Sequence, residues 1–339
     1  MERRYVGIDL HRRRSVIVTM DQAGEVLSSV RIPNDPVAMS IAVAEAGEGA
    51  EVAFEATYGW YWLSDLLQAD GHHLHMAHPL AMRGMTSHRR VKTDWKDATL
   101  LADVLRMGSL PEGWIAPPEL RELRELVRYR AKLVALRSGL KAQVHAVMAK
   151  NGILPARVEM FGPGGQAQLD AIGVDLPMNF TIRIESLRDL VEIYDREVAM
   201  LEREIHRQLK DHAGYQAIQE LVGVGKVIGA IFVAEIGDIS RFSSPEKLTS
   251  WAGLTPKHRE SDLTKHQFDI TKQGNKLVRW AAIEAVTGMR GGPKLKADYE
   301  RIAERRGKYR ARVTVARKLL VLVYYGLRDG KIRCLEGVA

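Results

Sequence analysis

Hydrophobic and polar positions follow two different periods along this chain, and the change of period divides it. Three short β-rich runs come first, at residues 4–9 (RYVGID), 15–20 (SVIVTM) and 26–32 (VLSSVRI). The last two are separated by DQAGE, which has turn composition, so the three predict an antiparallel meander. The pattern then switches to a helical stretch from Val37 to Ala46, a strand at Glu51 to Glu55 (EVAFE), a helix at Tyr61 to Ala69, a strand at His73 to Ala77 and a helix from Asp94 to Met107. Strand and helix alternating after a meander imply parallel pairing through crossover helices. Residues 1–112 therefore read as an α/β domain, a mixed sheet with helices packed on it.

From Pro117 the period lengthens. Leu126, Tyr129, Leu133, Leu136, Leu140, Gln143 and Val147 recur at spacings of three and four, as do Ile184, Leu187, Val191, Tyr194, Val198, Leu201 and Ile205. Residues 117–210 thus read as a coiled-coil region whose two helices are joined by a loop, 152–177, with GPGG at its centre. An antiparallel arm, a dimer interface, or both would satisfy the spacing. Residues 211–339 read as a second, mostly helical domain. Within it LVGVGKVIGA, from Leu221 to Ala230, has a helix-hairpin-helix pattern, in which Gly223 and Gly225 permit a tight turn ahead of Lys226 that offers N–H groups to a phosphate.

Acidic residues fall where this layout puts chemistry. Asp9 ends the first strand, Glu55 ends the fourth, and Asp94 and Asp97 open a helix three residues apart, on one face. If the first and fourth strands are neighbours, all four meet at one sheet edge, the usual place for sites in open α/β sheets. Four convergent carboxylates repel one another unless cations sit between them, and Mg²⁺ or Mn²⁺ would serve.

Charge adds a polyanionic partner to this picture. Fifty Lys and Arg against 42 Asp and Glu give a net charge of +8. Basic positions gather at Arg89, Arg90 and Lys92, at Lys257, His258 and Arg259, around Lys272, Asn275, Lys276 and Arg279, and through Gly307 to Lys318. Any one run is ordinarily a solvated helix face; together they suggest a nucleic-acid-facing surface. The single cysteine, Cys334, excludes an internal disulfide and a zinc site built on paired cysteines. The first residues carry no signal-peptide core, and the apolar stretch Leu319 to Tyr325 is far short of the roughly 20 residues of a membrane span. A soluble, cytoplasmic protein is expected. The histidines of HHLHMAH (His72, His73, His75, His78) alternate to opposite faces of a strand with no evident carboxylate partner, so a structural role is expected for them.

Several segments carry a resemblance: GIDLHRRR at the start, FEATYGW around Glu55, KTDWKDATLLADVLR around the paired aspartates, and WAGLTPKHRES, ITKQGNKLVRWAAIEAV and VARKLL near the end. The chain resembles the insertion-sequence transposases that join a RuvC-like (RNase H-like) four-carboxylate domain to a C-terminal transposase domain with a nucleophilic serine, some of which are directed by a bridge RNA. The resemblance implies that Asp9, Glu55, Asp94 and Asp97 form the metal-binding DEDD set and that Ser261 is the nucleophile. It further implies double-stranded DNA as substrate, a structured guide RNA as partner, and a homo-oligomer, dimer assembling to tetramer, in which the carboxylates of one subunit meet the serine of another. Two departures stand out. His11 and three arginines follow Leu10 where many relatives have a small residue and a lysine, and Asp262 follows Ser261 where glycine is common.

Two other classes fit less well. A junction resolvase or RNase H-like nuclease would use the carboxylates with water, but would leave the long C-terminal domain unexplained. An actin-like sugar kinase or ATPase also begins with GIDL and a second strand, yet needs small hydroxylated residues to cradle phosphate where this chain has His11, Arg12, Arg13 and Arg14. A decayed, purely DNA-binding relic is disfavoured because all five proposed catalytic residues are present.

Overall fold

A computed structural model describes residues 3–86, 93–154, 160–261, 264–288 and 293–333. Contacts cluster into two compact units, residues 1–118 and 119–339.

The first unit is built on a sheet of six strands: β1 (Tyr5–Leu10), β2 (Arg14–Met20), β3 (Val26–Pro33), β4 (Glu51–Glu55), β5 (His73–Ala77) and the short β6 (Glu112–Gly113). Their spatial order is β3-β2-β1-β4-β5-β6. The meander β1-β2-β3 is antiparallel, β1-β4 and β4-β5 are parallel, and β6 returns antiparallel to β5. Helices α1 (Pro36–Ala44), α2 (Trp60–Ala69), α3 (Pro79–Thr86) and α4 (Asp94–Arg106) complete it. The sequence expectations for β4 and β5 match residue for residue; α3 and β6 are elements it lacked.

Side-chain parity sorts the layers. Val6, Ile8, Leu10, Val52 and Phe54 pack with Met39 and Val43 of α1 and Leu63 and Leu67 of α2. On the opposite face Val16 and Val18 meet Ala98 and Ala102 of α4, while Ala53 and Ala77 meet its Leu101 and Leu105. Gly7 lies under α4, and a Cβ there would stand 2.0 Å from the Ala98 carbonyl oxygen and 2.6 Å from Ala102 N. Only glycine lets the helix backbone come so close to β1.

In the second unit α5 (Pro118–Lys150) and α7 (Met178–Leu209) run antiparallel. Arg130 pairs with Glu202 and Arg137 with Asp195, while Leu133 packs with Val198 and Leu201, and Val144 and Val147 with Ile184 and Leu187. The segment between them, 152–177, expected as a loop, contains α6 (Pro163–Asp175). Leu169 of that helix, with Met160 and Leu176 beside it, is buried against the far end of the helix pair. Burial of these scattered apolar residues outweighs the helix-breaking composition of GPGG, and Pro163 itself sits at the first helical position, where a missing N–H costs nothing.

The near ends of α5 and α7 enter a large core. Leu123, Val127, Ile205 and Leu209 join α8 (Ala213–Gln219), α9 (Lys226–Ile236), α10 (Pro245–Trp251), α11 (Lys276–Thr287) and α13 (Lys308–Asp329). The helix α12 (Pro293–Arg306) lies against α13. Between α10 and α11 stands a two-stranded hairpin, β7 (Pro256–Ser261) with β8 (Thr264–Ile270). Among the described residues no helix is long and apolar enough to cross a membrane.

Candidate active site

Strand register decides which carboxylates meet. Gly7 pairs with Ala53 and Ile8 with Phe54, so Asp9 and Glu55 follow as neighbours at the ends of two parallel central strands. By parity both belong to the face that carries α4. There Thr93 caps α4, its hydroxyl accepting from Lys96 N, and Asp94 and Asp97 occupy the first turn, where the helix's partial positive charge favours carboxylates. Gly7, two residues before Asp9, is what allows α4 to bring them down onto the strand.

The closest assembly is Asp9, Asp94 and His11, whose ligand atoms all lie within 4.8 Å of one another. His11 Nε2 is 3.0 Å from Asp9 Oδ2 and 3.3 Å from Asp94 Oδ1. Arg14 and Arg31 reach the other Asp94 oxygen at 3.5 and 3.9 Å. Burial pushes the Asp9 carboxyl above its ordinary range; His11 opposes the rise, and the nearby charges of Asp97 and Asp94 add to it. Asp97 is thus close enough to be felt at Asp9. Glu55 is half-buried on the adjoining strand, outside the 4.8 Å group.

These residues fit a divalent cation. Asp9 Oδ2 is shielded from solvent and has no hydrogen-bond partner, despite His11 at 3.0 Å. An ionised oxygen in that state is costly unless a cation satisfies it. The donors are oxygens with one imidazole nitrogen, hard to borderline ligands suited to Mg²⁺ or Mn²⁺. Sequence reasoning noted His11 only as a departure; that the β1–β2 turn carries it back over the carboxylates is a tertiary fact.

Apart from Arg89, Arg90 and Lys92, the other expected site residues belong to the second unit. Ser261 is the last residue of β7, its backbone paired with Thr264. Ser261, His258 and Arg259 are described in backbone only, and Arg89, Arg90 and Lys92 lie outside the described residues. Gly225 and Lys226 are exposed at the start of α9, with the tight turn between α8 and α9 in front of them. Gly223 has a packing reason for its identity: its φ is +92°, and a Cβ would stand 2.1 Å from the Ala285 carbonyl oxygen of α11. Lys257, Lys272 and Lys276 are exposed.

Asn275 and Arg279 make internal contacts. Asn275 Oδ1 caps α11 by accepting from Leu277 N and Val278 N, and its Nδ2 donates to Glu235 Oε2 at 2.6 Å. Arg279 donates to the Ala252 carbonyl. Glu235, 2% exposed, also receives both arms of Arg128 at 2.7 and 2.9 Å, while Arg124 donates to the carbonyls of Ala234 and Glu235. Thr271 N bonds Thr255 O and Lys272 N bonds Gly253 O at the foot of the hairpin, directly beside this network.

Comparison with known proteins gives two family matches. A DEDD-type transposase model of the IS110 group, described as a transposase, matches residues 6–151, and one described as the transposase IS116/IS110/IS902 family matches residues 215–300. Together the two matches, over residues 6–151 and 215–300, support an IS110/IS116 family transposase. Among similar proteins, the insertion element IS116 uncharacterized 44.8 kDa protein of Streptomyces clavuligerus is 27% identical, covering 98% of this chain and 96% of its own length. The transposase for insertion sequence element IS1111A of Coxiella burnetii is 23% identical over 97% of this chain and 91% of its own length. The IS110-type match contains Asp9, Glu55, Asp94 and Asp97, and the IS116/IS110/IS902 match contains the glycine turn, the hairpin with Ser261, and α11. A transposase of that family acts in DNA recombination, a reading that the fold alone would not have supplied.

Proposed function

We propose that this transposase cuts and rejoins DNA through a phosphoserine at Ser261, with Mg²⁺ or Mn²⁺ held by Asp9, Glu55, Asp94 and Asp97. The convergence of Asp9, His11 and Asp94 at the end of β1, with the charge of Asp97 also acting on a buried Asp9, carries the metal part of this reading. Bound there, a divalent cation supplies Lewis-acid stabilisation of charge on a phosphodiester. In the cutting step Ser261 Oγ forms a bond to phosphorus, the bond from phosphorus to one deoxyribose oxygen breaks, and the serine hydroxyl's proton, passed through solvent or a base, ends on that oxygen as a hydroxyl. The bond energy is retained in the serine ester, and attack by a deoxyribose hydroxyl of the partner strand reverses the step and frees Ser261. Lys257, Lys272 and Lys276, exposed around the foot of the hairpin, and Gly225 with Lys226 at the start of α9, hold DNA phosphates.

A homo-oligomer is part of the same proposal, because the family's site is composite and Ser261 belongs to a different unit from the carboxylates. The helix pair supports it. Leu136, Leu190 and Ile193 remain 42%, 40% and 44% exposed although the inner stripe is buried. A structured guide RNA choosing the DNA target follows from the family resemblance, and sequencing the nucleic acid that co-purifies with the protein tests it: absence of a discrete RNA refutes guidance and leaves recombination standing. The reaction itself is tested with Ser261→Ala and Asp9→Asn on DNA carrying an element end. Both variants are expected to lose strand cleavage. Cleavage retained by Ser261→Ala and lost by Asp9→Asn would instead identify a nuclease that uses the carboxylates with water.

A further inference from the structure

His11 belongs to the tight reversal between β1 and β2, and its backbone is held from both sides. Its N–H donates to the Arg14 carbonyl at 3.2 Å, and Asn34 Nδ2 donates to the His11 carbonyl at 2.6 Å. Asn34 is fixed in turn by Ser15, whose hydroxyl donates to Asn34 Oδ1 at 2.7 Å. The imidazole is therefore directed over the end of β1 by a built turn, with Nε2 between Asp9 and Asp94.

We propose that His11 is itself a metal ligand, placing one nitrogen donor among the carboxylates and giving this transposase a preference for Mn²⁺ over Mg²⁺. The inference rests on the reading that Asp9 and Asp94 hold a divalent cation, and it goes beyond that reading in naming a ligand outside the DEDD set.

Spacing supports it first. An octahedral ion with bonds of about 2.1 Å keeps adjacent donor atoms about 3.0 Å apart. Nε2 lies 3.0 Å from Asp9 Oδ2 and 3.3 Å from Asp94 Oδ1, close to one edge of such an octahedron in each case. Hydrogen bonding accounts for only part of the arrangement, because Nε2 carries at most one proton for two oxygens. The division of oxygens on Asp94 agrees: Arg14 and Arg31 approach Oδ2, leaving Oδ1 facing His11. Selectivity follows from ligand chemistry. Imidazole favours transition metals, whereas Mg²⁺ prefers oxygen donors and retained water.

The test uses the full-length protein with each metal alone. Electron spin-echo modulation of bound Mn²⁺ is expected to show coupling to a ¹⁴N nucleus in the wild type and none in His11→Ala. By calorimetry, His11→Ala should weaken Mn²⁺ binding by about tenfold or more while changing Mg²⁺ binding much less. His11→Asp, which restores an all-oxygen set, should lower the Mn²⁺/Mg²⁺ affinity ratio while still binding Mg²⁺, and circular dichroism melts establish that both variants fold. Absence of ¹⁴N coupling in the wild type overturns the proposal, as does tighter binding of both metals by His11→Ala, which would make the ring a competing cation. Asp94→Asn separates the two levels. If it loses metal while His11→Ala binds as wild type, the ligand assignment alone fails; if Asp94→Asn binds as wild type, the carboxylate reading fails as well.

Discussion

Replacing Gly7 with alanine tests how the fold positions the site. The added Cβ would lie 2.0 Å from the Ala98 carbonyl oxygen and 2.6 Å from Ala102 N, both in the backbone of α4. A carbon–oxygen contact settles at about 3.3 Å, so helix and strand must separate by roughly 1 Å. Ala98 and Ala102 are fully buried, with no flexible side chain between the backbones to absorb the change. Overpacking of this kind costs about 1–3 kcal/mol, and backbone on both sides places Gly7→Ala at the upper end. The same 1 Å acts at Asp94 and Asp97, one turn and one residue before Ala98, where ligand distances tolerate only about 0.2 Å. Mn²⁺ affinity should accordingly fall at least about tenfold. Urea unfolding followed by tryptophan fluorescence, with Trp60, Trp62, Trp95 and Trp114 reporting on the first unit, and calorimetry with Mn²⁺ measure both effects. Gly139→Ala provides the contrast: it lies mid-helix in α5 with nothing within 4 Å of a new Cβ, and should stabilise by about 0.5–1 kcal/mol. Gly7→Ala with wild-type stability and metal affinity would refute the claim that close approach of α4 builds the site.

Three further outcomes are expected. Glu235→Ala removes the buried acceptor of Arg128 and Asn275 and should destabilise the second unit by about 3 kcal/mol in denaturant titrations, the low end for a buried pair because Arg128 is half exposed; a change under about 0.5 kcal/mol would contradict it. Burial acts to raise the Glu51 carboxyl, but the hydrogen bond from His75 and the charges of His75, Arg3 and His73 outweigh it and hold the group below its ordinary value of 4.5. Its stabilising contribution is therefore complete above pH 4.5 and is lost as the pH falls through the lowered value, so Glu51→Gln should flatten the acid limb of the stability–pH curve, and an unchanged limb would count against the assignment. Leu136→Lys combined with Leu190→Lys should shift the oligomer toward monomer in sedimentation velocity with the monomer still folded, whereas an unaltered assembly would place the interface elsewhere.

Legibility in the sequence followed the range of the interactions. Strand β4, EVAFE, is buried on both faces, so local pattern and tertiary demand agree and its ends could be read directly, while β5, HLHMA, is buried only at Met76 and Ala77 and was marked by its alternation. The Asp94/Asp97 spacing was equally plain because a helix turn is local. What escaped depended on distant partners. Helix α6 is stabilised by its contacts with α5 and α7 rather than by its own composition. The hairpin β7–β8 is highly charged and, among the described residues, forms a sheet of two strands, so no alternation marks it. His75, expected to lack a carboxylate partner, bonds Glu51 at 2.8 Å and Glu112 at 2.9 Å, residues 24 and 37 positions away. Asn275 reads as one more polar residue in a basic run until Glu235, 40 positions earlier, is seen beneath it.

A covalent bond between Ser261 and DNA is the feature that most directly distinguishes the serine mechanism. Incubating the protein with Mn²⁺ and DNA bearing an element end, quenching with denaturant, digesting and mapping the adduct by mass spectrometry should place a nucleotide phosphate on the peptide containing Ser261, with none recovered from Ser261→Ala. Strand cleavage without any protein–DNA adduct, or an adduct on another side chain, would contradict the serine mechanism.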